Sequence, residues 1–152
     1  MDAERLKSFG LFATVSENYR RIIAPAFSEE RFQAGDRIFL EGDRGDKLYL
    51  IGSGAVRISQ RLGSSGEEAL AVLRAGDYFG DMSLVDAQPR SADAIADEDV
   101  VLYTMDRDVF LMLLKTNVEF AIDILFRFIH TLTGRLRVNN EKIRAMNIMA
   151  MW

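Results

Sequence analysis

The sequence predicts a mainly β fold with flanking helices: a jelly-roll β-barrel with N-terminal helices before it and a long C-terminal dimerisation helix after it. Three observations carry that expectation. Short apolar runs between residues 32 and 105 are punctuated by Gly-Asp pairs and one Gly-Ser-Gly, the pattern of short strands joined by tight turns. Both ends of the chain switch to apolar steps of three and four residues, the helical period. A length of 152 residues suits one domain, 1–152, with a single sizeable core. Within it we expect N-terminal helices over 1–31, the barrel over 32–105 and C-terminal helices over 106–152.

Each element has a local reason. From Asp2 to Phe27, the residues Leu6, Phe9, Leu11, Phe12, Tyr19, Ile22 and Ile23 fall at helical spacing. Ser16 can cap a second helix, and Pro25 should end or kink it. The strand candidates are Ile38–Leu40, Leu48–Ile51, Val56 with Ile58, Leu70–Leu73 and Val100–Tyr103. Between them stand Gly35-Asp36, Gly42-Asp43, Gly45-Asp46, Gly52-Ser53-Gly54, Gly63, Gly66 and Gly76-Asp77. Strand-like residues follow Gly52-Ser53-Gly54, so it is turn chemistry and no dinucleotide fingerprint. Asp106 and Asn117 are the expected caps of the last two helices.

The final helix carries its own pattern. Ile122, Leu125, Ile129, Leu132, Leu136, Asn139, Ile143, Met146 and Ala150 alternate three- and four-residue steps. That is a heptad seam, and a single Asn within it favours a dimer in fixed register. Phe126, Phe128 and Val138 lie off the seam, so the helix is expected to face a partner and also cover the barrel. The Met-rich end, 146–152, reads as an amphipathic terminus.

Composition excludes several function classes. A net charge of −4 argues against nucleic acid as the main partner. No apolar run approaches the roughly 18 residues of a membrane span, and Met1-Asp2-Ala3-Glu4-Arg5 starts no secretory signal. The absence of cysteine removes disulfides, thiolate metal sites and cysteine catalysis. The single histidine, His130, sits in a helical run without partners for a metal cluster or a triad. The expectation is a cytoplasmic, non-enzymatic protein with neither metal nor cofactor.

The chemistry concentrates in Phe79–Ala96, FGDMSLVDAQPRSADAIA. A Phe-Gly turn, a short helix and then Pro89-Arg90-Ser91 precede another apolar segment. Gly80 lets backbone amides approach an anion, and the following helix start is positive. Arg90 offers a planar, permanent cation and Ser91 a hydroxyl donor. The order suits capture of one small phosphate.

These residues resemble the phosphate-binding cassette, here 79–92, of the cyclic nucleotide-binding domain family, which includes catabolite activator protein and cAMP-dependent kinase regulatory subunits. Glu41-Gly42-Asp43-Arg44-Gly45-Asp46-Lys47, then four apolar residues and Gly52, resembles the turn and strand before that cassette. The resemblance implies ligand contacts from Gly80, Asp81, Met82, Ser83, Arg90, Ser91 and Ala92. Arg90, Ser91 and the Ala92 amide would hold the phosphate. Gly80 and Gly45 would let backbone come near the ribose or phosphate. Asp81 stands where the family commonly has glutamate, and would accept from the ribose 2′-hydroxyl, directly or through water. Arg135, Asn139 and Asn140 match positions on the family's final helix that approach the ribose and base, with Asn139 and Asn140 one from each subunit. An amide can read adenine or guanine. The implied ligand is cAMP, with cGMP as the alternative, and the implied partners are a second copy and a protein effector. No helix-turn-helix segment is expected after the long helix. Rival readings are a ligand-independent dimerisation scaffold, the N-terminal fragment of a transcription regulator, and a cupin-type metal enzyme, which one histidine disfavours.

Overall fold

A computed structural model describes residues 1–61 and 66–149. Gly63, Ala150, Met151 and Trp152 lie outside the described residues. The chain opens with α1 (Ala3–Lys7), a 3₁₀ turn at Gly10–Phe12 and α2 (Glu17–Ile23). Asp2 caps α1, its carboxylate accepting from the Arg5 N–H at 2.7 Å. Ser16 does occupy the N-cap position of α2, although its side chain makes no capping bond. Pro25 falls in the 3₁₀ turn that follows.

Eight strands then form two four-stranded antiparallel sheets. One runs β1 (Ser28–Phe32), β8 (Val100–Asp106), β3 (Lys47–Ser53), β6 (Tyr78–Phe79). The other runs β2 (Arg37–Phe39), β7 (Asp93–Ala96), β4 (Ala55–Arg61), β5 (Glu67–Arg74). The mainly β class with flanking helices matches the expectation, with the ladders hydrogen-bonded as two sheets and no closed cylinder among the described residues. One boundary needs correcting. Residues 28–31, assigned above to the N-terminal helices, belong to strand β1, which pairs Ser28 through Phe32 with Thr104 through Val100. Ser28-Glu29-Glu30-Arg31 has no apolar alternation of its own. It is an edge strand specified by its partner, and edges tolerate charge.

The first sheet is the middle layer, and β3 shows why. Its Leu48 and Leu50 join the cluster under the helices, with Leu6, Phe12, Phe110 and Phe120. Its Tyr49 and Ile51 join the cluster between the sheets, with Val56, Phe79, Ala94 and Leu102. A strand buried on both faces must be apolar at every position, and Leu48-Tyr49-Leu50-Ile51 is.

Two helices close the chain, α4 (Arg107–Thr116) and α5 (Val118–Met149). Asn117 caps α5, its Oδ1 accepting from the Phe120 N–H at 2.8 Å. Asp106 precedes α4 but makes no side-chain cap. It is still paired with Lys47 as the last residue of β8, and the Arg107 N–H instead donates to the Asp46 carbonyl at 2.7 Å. Helix α5 buries Phe120, Ile124 and Phe128, spaced i, i+4 and i+8 on one face. Phe126 and Val138, expected to share the covering role of Phe128, are exposed. Of the seam, Ile122, Leu125, Ile129, Leu132, Leu136, Ile143 and Met146 are exposed. No helix among the described residues is long and apolar enough to cross a membrane.

Candidate functional site

Three pieces of backbone deliver the cassette. Strand β6 leads into Gly80, whose φ of +83° is left-handed. A Cβ there would lie 2.7 Å from the Arg90 Nη1 and 2.8 Å from the Lys47 carbonyl oxygen, so the position needs glycine on two counts. Helix α3 (Asp81–Asp86) follows and ends at Ala87, the one non-glycine residue with positive φ among the described residues. The chain then returns to β7 through Arg90. The Arg90 N–H donates to the Asp43 carbonyl, and its own carbonyl accepts from the Gly42 N–H, both at 2.8 Å.

Arg90 is buried there, at 4 % exposure. Its Nη1 donates to the Gly80 carbonyl at 3.0 Å and its Nη2 to the Lys47 carbonyl at 2.8 Å. Its Nε is buried without a partner. Burial lowers the Arg90 pKa from its ordinary value, against the opposing pull of Tyr49, Asp46 and Asp43. Arginine starts so high that the group stays charged. A buried cation with an unused donor is an arrangement that an anion completes.

Beside Arg90 opens a cavity of about 430 Å³. Gly80, Asp81, Met82, Ser83, Arg90, Ser91 and Ala92 line its cassette side, and Arg135 and Asn139 line it from α5. The structure thus brings nine of the ten sequence-derived residues together. Asn140, exposed on α5, is not part of the lining. Asp81 and Ser83 are buried, whereas Met82 and Ser91 are exposed. The Ser91 carbonyl accepts from the Gln60 Nε2 at 2.9 Å, which ties the cassette to β4.

Asp81 is engaged already. Arg135 Nη1 lies 3.4 Å from each of its carboxylate oxygens. The Asp81 side chain is 5 % exposed and that of Arg135 40 %. A second tie reaches α5 from β6: the Tyr78 hydroxyl donates to the Thr131 Oγ1 at 2.8 Å. Burial pushes the Tyr78 phenol pKa up, while the Thr131 bond lowers it.

Gly45 does something other than expected. It lines a separate depression of about 650 Å³ beside Asp106 and Arg107, outside the lining of the Arg90 cavity. A Cβ on it would lie 2.0 Å from the Ser83 Cβ, so its smallness lets α3 seat against the turn. Sequence reading also missed several lining residues. Ile58 and Gln60 from β4, Leu70 and Leu73 from β5, and Lys142 from α5 belong to the cavity. Lys142 could have been found, because 135, 139 and 142 fall at i, i+4 and i+7 on one helix face.

The family profile described as cyclic nucleotide-binding domain matches residues 29–117, from β1 to the cap of α5. Over 120 residues the chain is 34% identical to a cAMP-dependent protein kinase regulatory subunit of Debaryomyces hansenii, covering 79% of this chain and 25% of that one. Over 89 residues it is 40% identical to the cyclic AMP receptor protein of Thermus thermophilus, covering 59% and 41%. It therefore spans less than half the length of either relative. A solved cyclic nucleotide-binding domain from Methylobacillus flagellatus superposes with a TM-score of 0.79 at 27% identity, covering 93% of this chain and 80% of that one. The profile takes in more than half of the chain, including the whole cassette, and this chain belongs to the cyclic nucleotide-binding domain family.

Proposed function

We propose that the chain is a non-enzymatic, cytoplasmic sensor of cyclic nucleotide, preferring cAMP, that acts as a homodimer through α5 and signals to a protein effector. The observation that carries the reading is Arg90, a buried guanidinium with an unpartnered Nε at the wall of a 430 Å³ cavity. A cyclic phosphate supplies the single negative charge that site lacks. In this reading Ser91 and the Ala92 amide also donate to the phosphate, and Gly80 gives the room. Asp81 accepts from the ribose hydroxyl while Arg135 approaches from above. Met82 and Ser83 flank the sugar, and Asn139 reads the base together with Asn140 of the partner subunit. Seven exposed apolar side chains at heptad spacing on α5 support the dimer. Ligand would then shift a pre-existing equilibrium by making contacts to cassette and α5 at once.

Calorimetry with cAMP and with cGMP, beside light scattering for the oligomeric state, tests this. Binding of cAMP more tightly than cGMP by a dimer is expected. Tighter cGMP binding would reverse the ligand assignment. No heat and no thermal stabilisation with either nucleotide, from an intact dimer, would leave the scaffold reading, which the existing Asp81–Arg135 pairing favours.

A further inference from the structure

Against the Arg90 guanidinium lies a group of rings that the nucleotide reading does not use. Phe39 of β2, Tyr49 of β3 and Phe79 of β6 have centroids 5.6, 5.8 and 4.8 Å apart, pair by pair. Tyr49 and Phe79 are stacked with an interplanar angle of 5°. The Arg90 Cζ stands 4.3 Å from the Phe39 centroid and 5.5 Å from that of Tyr49. Both distances fall within the range where a cation is drawn to the negative face of a ring. Phe39 also lines the cavity, as does Phe79, whereas Tyr49 does not.

We propose that Phe39 and Tyr49 form a cation–π seat that positions Arg90 for an anionic ligand. The inference rests on the reading of Arg90 as the phosphate anchor. A guanidinium has five N–H donors, and two of Arg90's are taken by the Gly80 and Lys47 carbonyls. Those bonds act through Nη1 and Nη2 and leave the group free to tilt about the line joining them. Contact with the two rings removes that freedom. It also returns part of the desolvation cost of a cation buried to 4 % exposure. The unpartnered Nε–H is thereby held in one direction before any ligand arrives. Preorganisation of this kind raises affinity by lowering the ordering cost on binding. Phe39 and Tyr49 are positioning residues in this scheme, since they act through Arg90.

Leucine at 39 keeps an apolar side chain and loses the ring quadrupole, while tryptophan strengthens it. Calorimetry on the dimer with cAMP should show Phe39→Leu binding about three- to thirty-fold more weakly, the span of a cation–π contact. Phe39→Trp should hold within about threefold of wild type, and Tyr49→Leu should weaken binding less than Phe39→Leu, in line with its longer distance. A packing role alone would not be rescued by a larger ring. A ligand-free arm decides the contact itself: urea unfolding of Phe39→Leu, Arg90→Met and the double variant. The double variant should be less destabilised than the sum of the singles, because the second substitution finds no partner left to lose. Additive unfolding, or a Phe39→Leu variant that binds as wild type does, overturns the seat. If wild type binds neither nucleotide, the sensor reading fails, and the unfolding cycle still decides whether Phe39 and Arg90 are coupled. Should Phe39→Leu not fold, Tyr49→Leu with Arg90→Met completes the same cycle.

Discussion

The two sides of the cavity are built differently. The anion side hangs on strands and turns. Arg90 is fixed by backbone pairing to residues 42 and 43, by two carbonyls and by burial. The α5 side presents Arg135, Asn139 and Lys142 from a helix whose buried residues all lie in its first third, at Phe120, Ile124 and Phe128. From Thr131 onward, among the described residues, its polar ties to the domain are one hydroxyl pair and one partly exposed ion pair. Elements with few buried apolar contacts open at low cost. The contrast teaches a division of labour: a strand side that is already fixed, and a helical side held loosely enough to be biased, which is what the proposed function asks of phosphate anchor and ligand-sensitive helix.

The widest break in that comparison comes from Arg90→Ala. It removes a buried cation and the donor that has no other use. We expect affinity for cyclic nucleotide to fall by roughly two to three orders of magnitude, as loss of one partner of a buried pair costs about 3–5 kcal/mol. Calorimetry at constant ionic strength reads this directly. A loss under tenfold would mean that the strand side is no anchor. Gly45→Ala probes how rigid that side is without touching the ligand. Its Cβ would need the space of the Ser83 Cβ, 2.0 Å away, so α3 or the turn must move. The expected cost is about 1–3 kcal/mol in urea unfolding. A neutral substitution would show that α3 shifts freely and that the cassette is softer than the comparison holds.

The same contrast explains what could be read from the sequence. The strand side was legible because its local rules agree: a Gly-Asp turn, a left-handed Gly80 and Pro-Arg-Ser in order each demand specific residue types. Strand β1 was not, because Ser28-Glu29-Glu30-Arg31 takes its conformation from β8 rather than from its own pattern. On α5 the heptad seam masked Phe120 and Ile124, which belong to a neighbouring face of the same helix and do the burying. Phe39 stayed unremarked because a half-buried strand phenylalanine signals only core until its distance to Arg90 is known. Gly45 was seen as special for the wrong neighbour, since sequence shows that room is needed but not for which side chain.

Arg135→Ala tests the helical side and should do much less than Arg90→Ala. It removes the partner of Asp81, whose side chain is 5 % exposed, yet Arg135 is itself substantially exposed and the contact is 3.4 Å. We expect about 1 kcal/mol of destabilisation and an affinity change below tenfold. Equal losses for the two arginines would erase the division between the sides.

The smallest effect is a matter of pH, and it separates the two sides by their tyrosines. Burial pushes the Tyr49 phenol up from 10.0, against the pull of Arg90 and Lys47. Burial raises Tyr78 as well. Lys47 is raised from 10.5, first by its bond to Glu30. In each case the folded state holds its proton to a higher pH than the unfolded chain does. The unfolded state therefore binds fewer protons above about pH 10, and stability falls as pH rises. Urea midpoints should be flat from pH 7 to about 9 and then decline. Tyr49→Phe removes part of that decline from the strand side and should leave α5 in place. Tyr78→Phe removes its own share and also the tie to Thr131. Only the second should loosen the helix at neutral pH, seen as faster amide exchange beyond residue 131. Equal exchange in the two variants would mean that the Thr131 bond does not hold α5 to the domain.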